Sequence, residues 1–306
     1  MRKIFAVAAL ALLSFSAANA QQEDKMLFNH LSVGITTGTP GLIGFDVATT
    51  CTPYLQIRAG IAIMPKFKYN TTIKMNGSDV TKFNNDIANI NNALANDPIL
   101  SLSGAAPITE RVANEYDVQG KIGFTNGKLM FDFFPFKATG FPFFITVGAY
   151  FGSSEIISVY NKVDGALQVV NQANAAIVAT KSVAATYGID PNLNPIFAEV
   201  GDYRLGPDLD GNAKFNIKVN GFKPYLGIGF GRPMATKKRI GFSCEIGCMF
   251  WSKPKVTYTG YDNMGNTNFE IDKDKAGDKD VGKAIDIISK FGVWPCINFR
   301  LTGRIF

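Results

Sequence analysis

From Leu55 to Met75 apolar and polar residues alternate one by one. Leu55, Ile57, Ala59, Ile61 and Ile63 share one face, and Gln56, Arg58, Gly60, Ala62 and Met64 share the other. A period of two is the mark of a β-strand that sees two different environments. The alternation recurs at 27–37, 41–50, 117–136, 143–152, 213–231, 240–260 and 292–306. Phe143, Ile145, Val147, Ala149 and Phe151 oppose Phe144, Thr146, Gly148, Tyr150 and Gly152. Near the end, Val293, Ile297, Phe299, Leu301 and Ile305 oppose Asn298, Arg300, Thr302 and Arg304.

A soluble sandwich or barrel also alternates, so the composition of each face separates the readings. The apolar face carries almost no ionic group in the centre of any strand, as lipid requires. The other face holds Gly, Thr, Ser and sparse charges, which suits a narrow polar interior. The chain therefore reads as an all-β transmembrane protein, an antiparallel up-and-down β-barrel with partly helical extracellular insertions.

Connection lengths set strand number and orientation. Tight turns at 51–53, 137–142 and 232–239 fall at one end, and long insertions at 76–115, 153–212 and 261–290 at the other, which gives eight strands with short inner turns and long outer loops. Asn126-Gly127 and Asn220-Gly221 have the form of hairpin turns. Taking both as hairpins raises the count to ten or twelve and puts successive insertions at opposite ends. As β-bulges they keep eight strands and account for the apolar parity that flips at each. A strand of about twenty residues tilted about 40° climbs roughly 50 Å against an apolar band of about 25 Å, so half of the longest strands stands clear of the bilayer. Mixed three- and four-residue spacings predict helices at 79–95, 155–186 and 281–291.

At the N-terminus Arg2 and Lys3 precede the apolar run Ile4 to Phe15 and the small-x-small sequence Ala18-Asn19-Ala20, the layout of a signal peptide spanning 1–20, with 21–306 as the mature barrel. Export exposes the four cysteines to an oxidising compartment, yet parity and strand spacing leave no pair close enough to bridge, which predicts four free thiols. A formal charge of +6 on 306 residues is too weak a bias for nucleic acid. One histidine and no clustered cysteines exclude a structural zinc site, and no cofactor motif is present. Gly227, Gly229 and Gly231 lie within a strand with no helix following, unlike a nucleotide loop. Asp272, Asp274, Asp278 and Asp280 alternate with lysines and lack calcium-loop spacing.

The stretches at 223–233 (KPYLGIGFGRP) and 241–260 (GFSCEIGCMFWSKPKVTYTG) resemble an outer-membrane β-barrel family of Gram-negative bacteria, in the style of its Bacteroidetes versions. The resemblance covers about a quarter of the chain and implies a barrel rather than an activity. It implies a place in the cell outer membrane, contact with outer-membrane lipid, and Phe306 as the terminal aromatic read by the barrel-assembly machinery. One departure stands out: Ile297, Phe299, Leu301 and Ile305 are out of phase with Phe306.

Face parity sends His30, Asp46, Arg58, Asp132, Glu245, Arg300 and Arg304 into the lumen. Asp46 and Arg58, equidistant from a turn centred on Thr52, are expected to face each other, and Glu245 is expected to meet Arg300 or Arg304. In an eight-stranded barrel such residues form an ion-paired plug or line a small pore. His30 starts the first strand at the inner end, far from the outer rim where barrel enzymes keep their catalytic histidine. Two functions remain: a non-enzymatic outer-membrane protein whose ordered loops bind a surface ligand or dock on other outer-membrane proteins, and a small channel for a solute.

Overall fold

The computed structural model describes residues 30–305, apart from 75–76, 192, 233–238, 263–264, 266 and 278–279. The segment 1–20, expected to be a signal peptide, and the terminal Phe306 lie outside the described residues. The elements run β1 (Leu31–Gly38), β2 (Ile43–Thr52), β3 (Leu55–Lys74), α1 (Gly77–Asn96), β4 (Glu115–Phe133), β5 (Phe143–Gly152), β6 (Glu155–Asn161) and α2 (Gln168–Thr186). They continue with β7 (Ala198–Val200), β8 (Tyr203–Gly206), β9 (Lys214–Lys218), β10 (Phe222–Gly231), β11 (Ile240–Phe250), β12 (Lys255–Asp262), β13 (Thr267–Glu270), α3 (Lys273–Ala276), α4 (Asp280–Ser289) and β14 (Val293–Arg304).

The order β3-β2-β1-β14-β11-β10-β5-β4, closed by pairing of β3 with β4, makes an antiparallel barrel of eight strands. Its outward positions carry no charged side chain from Val33 to Thr37 on β1 or from Phe242 to Phe250 on β11, and Ile35, Phe45, Ile228, Phe230, Phe242 and Leu301 stand exposed there. Side chains of this kind facing water would be costly; facing hydrocarbon they are the expected surface. No helix among the described residues is long and apolar enough to cross a membrane.

Above the barrel the sheet continues on one side only. The upper halves of β3 and β4 run on unbroken, and β6, β9, β12, β8 and β7 follow in turn from β4. Two strands that the alternation pattern presents as continuous, 213–231 and 240–260, are interrupted at this level, at 219–221 and 251–254, and residues 153–154 separate β5 from β6. The Asn-Gly pairs need correction accordingly. Asn126-Gly127 lies inside β4 with unbroken one-to-one pairing to β3, and the extra residue sits on β3 between Met64 and Phe67, opposite Gly123. Asn220-Gly221 is neither hairpin nor bulge but the gap between β9 and β10.

The helix expected at 155–186 begins only at Gln168; residues 155–161 form strand β6, the outward continuation of β5. Its Ile157 and Val159 are β-branched and pair with β4 and β9, and that pairing overrides the helical spacing. Helices α1 and α2 bury Ile87, Ile90 and Leu94 against Val169, Ala173 and Ile177. Asp272 caps α3 by accepting from the Asp274 N–H at 2.8 Å, so one member of the acidic run is a helix cap. All four cysteines are free.

Candidate functional site: the filled lumen

Inward positions on the barrel strands converge in layers. At the inner end Phe134 and Phe144 pack with ring centres 5.5 Å apart. At the outer end Tyr150 meets Tyr225 edge-on at 5.6 Å, and Trp251 meets Trp294 at 5.0 Å, with Met249, Phe124 and Cys296 filling between them. These large groups fit because facing inward positions are glycine. A Cβ on Gly247 would fall 2.6 Å from Tyr225 Cζ, and one on Gly229 2.7 Å from Phe144 Cε2. The glycine run at 227–231 thus makes room for aromatic rings.

Between the aromatic layers lie six acidic and basic side chains in two groups. Arg58 reaches Asp132 Oδ2 through Nε at 2.6 Å and Glu245 Oε2 through Nη2 at 2.6 Å, while the Thr146 hydroxyl donates to Asp132 at 2.8 Å. Asp46 accepts from Arg300 Nε at 2.8 Å and faces Lys128 Nζ at 2.7 Å. Three cations balance three carboxylates, all buried. Buried charges of this kind hold together only when each has a partner, because removing one leaves its partner in a low-dielectric interior.

The partners differ from the expected ones. Arg58 lies opposite Ala48, and Asp46 opposite Gly60, because the β2–β3 turn falls at Pro53-Tyr54, between paired Thr52 and Leu55, rather than at Thr52, and the irregularity between Thr50 and Thr52 returns only part of that offset. Glu245 pairs with Arg58 instead of Arg300 or Arg304, and Arg300 turns to Asp46 across β1. Gly34 on β1 makes this crossing possible: a Cβ there would sit 2.6 Å from the Arg300 guanidinium carbon. Arg304 stands at the inner end opposite Ser32, with its backbone N–H donating to the Arg239 carbonyl. His30 is half-buried at the start of β1, its carbonyl accepting from Thr49 Oγ1.

Two buried lysines escaped the sequence reading. Lys128 shares the parity of Asp132, which was the available signal. Lys223, in phase with inward Tyr225, donates to Asn126 Oδ1 at 2.9 Å and the Ser153 carbonyl at 2.8 Å, and approaches the Gly221 carbonyl at 3.3 Å. It ties β4 to two of the strand interruptions. Among the described residues no group of three or more His, Cys, Asp or Glu side chains is arranged to hold a metal.

A closed eight-strand barrel with an apolar exterior and a filled, charge-balanced interior defines a transmembrane β-barrel protein. Among solved structures the chain is similar to CarO2 of Acinetobacter baumannii, at 14% identity and TM-score 0.41 over 92% of this chain and 100% of that one. It is also similar to CarO of the same organism, at 14% identity and TM-score 0.39 over 89% and 96%, and to a major outer membrane protein from Thermus thermophilus, at 10% identity and TM-score 0.35 over 90% and 99%. No protein-family model and no curated protein matches the sequence. It is the chain's own strand pairings and apolar belt that define it as a transmembrane barrel.

Proposed function

We propose that the protein is an integral, non-enzymatic barrel of a bacterial outer membrane that works through its outward-facing structure while its lumen stays closed. The observation that supports this most is the layered filling of the interior, with aromatic side chains above and below a neutral ion network. In this reading the segment 1–20 directs export, Phe306 serves the barrel-assembly machinery, and outer-membrane lipid surrounds the belt. The ordered outer part then binds a surface ligand or docks on other outer-membrane proteins.

A ligand site within that outer part is at hand. Between α1, α2 and the segment 193–199 lies a cavity of about 800 Å³, lined by Lys82, Asp86, Asn89, Asn194, Glu199 and Arg204 over a floor of Ile90, Ile177 and Ile196. Its size suits a small polar molecule.

The competing function, a solute channel, makes the opposite prediction in one measurement. Purified protein inserted into a planar bilayer is expected to give no discrete conductance steps. Regular, ion-selective steps would overturn the closed-lumen reading.

A further inference from the structure

The outward face of the sheet changes character where β5 gives way to β6. Below this level Phe151 and Phe222, opposite one another on β5 and β10, are 47% and 63% exposed and form an aromatic rim. Above it, strand register lines up Lys68, Lys121, Ser158, Asn216 and Thr257 across β3, β4, β6, β9 and β12. The irregularity on β3 brings Lys66 to the same place, since a Cβ on Gly123 would lie 3.2 Å from Lys66 Cγ.

Between rim and row lies a cavity of about 390 Å³, lined by Lys66, Lys121, Gly123, Ser153, Ser154, Glu155, Ile156 and Ser158. The absent side chain of Gly123 helps to leave it open. Lys66, Lys68 and Lys121 make no salt bridge within 4.0 Å of a described carboxylate, although Lys121 lies near enough to Glu155 to act on its charge. Glu155, the one carboxylate in the lining, accepts from Ser158 Oγ at 2.6 Å and faces Lys214 at 3.5 Å. Burial raises its pKa, but the Ser158 hydroxyl, Lys214 and Lys121 together hold it below the usual range, so it stays ionised at neutral pH. Lys66 and Lys121 in the lining and Lys214 beside it therefore accompany a single carboxylate and several serine hydroxyl groups, with Lys68 next to Lys121 in the row above.

The geometry points to a binding site for the phosphate headgroup of a lipid in the outer leaflet, with its acyl chains descending past Phe151 and Phe222. Ammonium groups and serine hydroxyls are the donors a phosphate oxygen accepts from, and their place directly above an aromatic rim is the depth at which headgroups lie. Free phosphate has no use for the rim, whereas a lipid uses both halves of the site. The inference rests on the barrel spanning a membrane with its long connections outward.

The full-length mature protein is first floated with phosphatidylcholine vesicles, and then with vesicles containing a minor fraction of dioleoyl phosphatidic acid. Lipids retained on the protein are counted by native mass spectrometry. The wild type is expected to hold phosphatidic acid in preference to phosphatidylcholine. The K66A/K121A variant should lose roughly thirtyfold in apparent affinity, at about one kcal/mol for each lysine near the surface. E155Q should gain affinity, a result that impaired folding does not produce, and K290A, just past the end of α4, should change nothing. Equal retention by the wild type and K66A/K121A overturns the inference, as does a loss of the same size in K290A or displacement of the lipid by millimolar inorganic phosphate. Failure to float would overturn the membrane reading along with it; flotation without a phosphate preference sinks the lipid site alone.

Discussion

Arg58 answers two carboxylates at once, so its loss leaves Asp132 and Glu245 facing each other without a cation. Arg58→Ala is therefore expected to cost about 3–5 kcal/mol, more than Glu245→Ala, which leaves the Arg58–Asp132 pair in place. The midpoint of the heat-induced gel shift reads the difference. An R58M/D132N/E245Q triple variant, with no charge left to strand, should recover most of the loss, and a midpoint as low as that of R58A would reject the pairing. At this scale the alternation pattern was informative about side and silent about partner. Parity assigns Asp46, Arg58, Asp132, Glu245 and Arg300 to the interior from a period of two alone. Pairing depends on the turn irregularity beside Cys51 and on side chains long enough to pass a glycine, as Arg300 passes Gly34 to reach Asp46. Neither leaves a periodic trace in the sequence.

The elements most open to misreading are those near the level where the barrel ends. Asn126-Gly127 and Asn220-Gly221 look alike as dipeptides, yet one lies in an unbroken strand and the other in a gap, because β4 continues into the upper sheet while the strand holding β9 and β10 is interrupted as it changes partners. Lys223 joins this level with three bonds to oxygens. Lys223→Met would leave Asn126 Oδ1 and the carbonyls of Ser153 and Gly221 without that donor in a buried place. Hydrogen exchange followed by mass spectrometry should show faster exchange in peptides covering 155–161 and 214–218, with 143–151 and 225–230 unchanged. Uniform exchange across all four would mean that Lys223 does not hold the junction. The misread start of the second helix has a related cause: Ile156 and Ile157 fit either period, and only the neighbouring strands decide.

For the whole molecule, eight strands and one-sided long connections were legible from length arithmetic, while the tall wall was visible only as strands too long to be needed. The orientation this implies is tested on intact cells. Epitope tags within 79–95, 170–180 or 267–276 should be labelled without permeabilisation, whereas a tag at 235–238, outside the described residues, should stay hidden; surface labelling of the latter would reverse the orientation. The wall has a further consequence. Strand β2 stops pairing at Ile43, opposite Ile63, while β3 climbs on to Lys74 with β4 on its other side. From about Pro65 upward β3 is an open sheet margin, rich in residues that favour strands and with Phe67, Tyr69 and Ile73 exposed. A margin of this kind is a template for unwanted growth, and Pro65, Lys66, Lys68 and Lys74 along it are the residue types that discourage another chain from adding to it. Read this way, the lysines of β3 are expected to keep neighbouring copies from joining edge to edge into fibres.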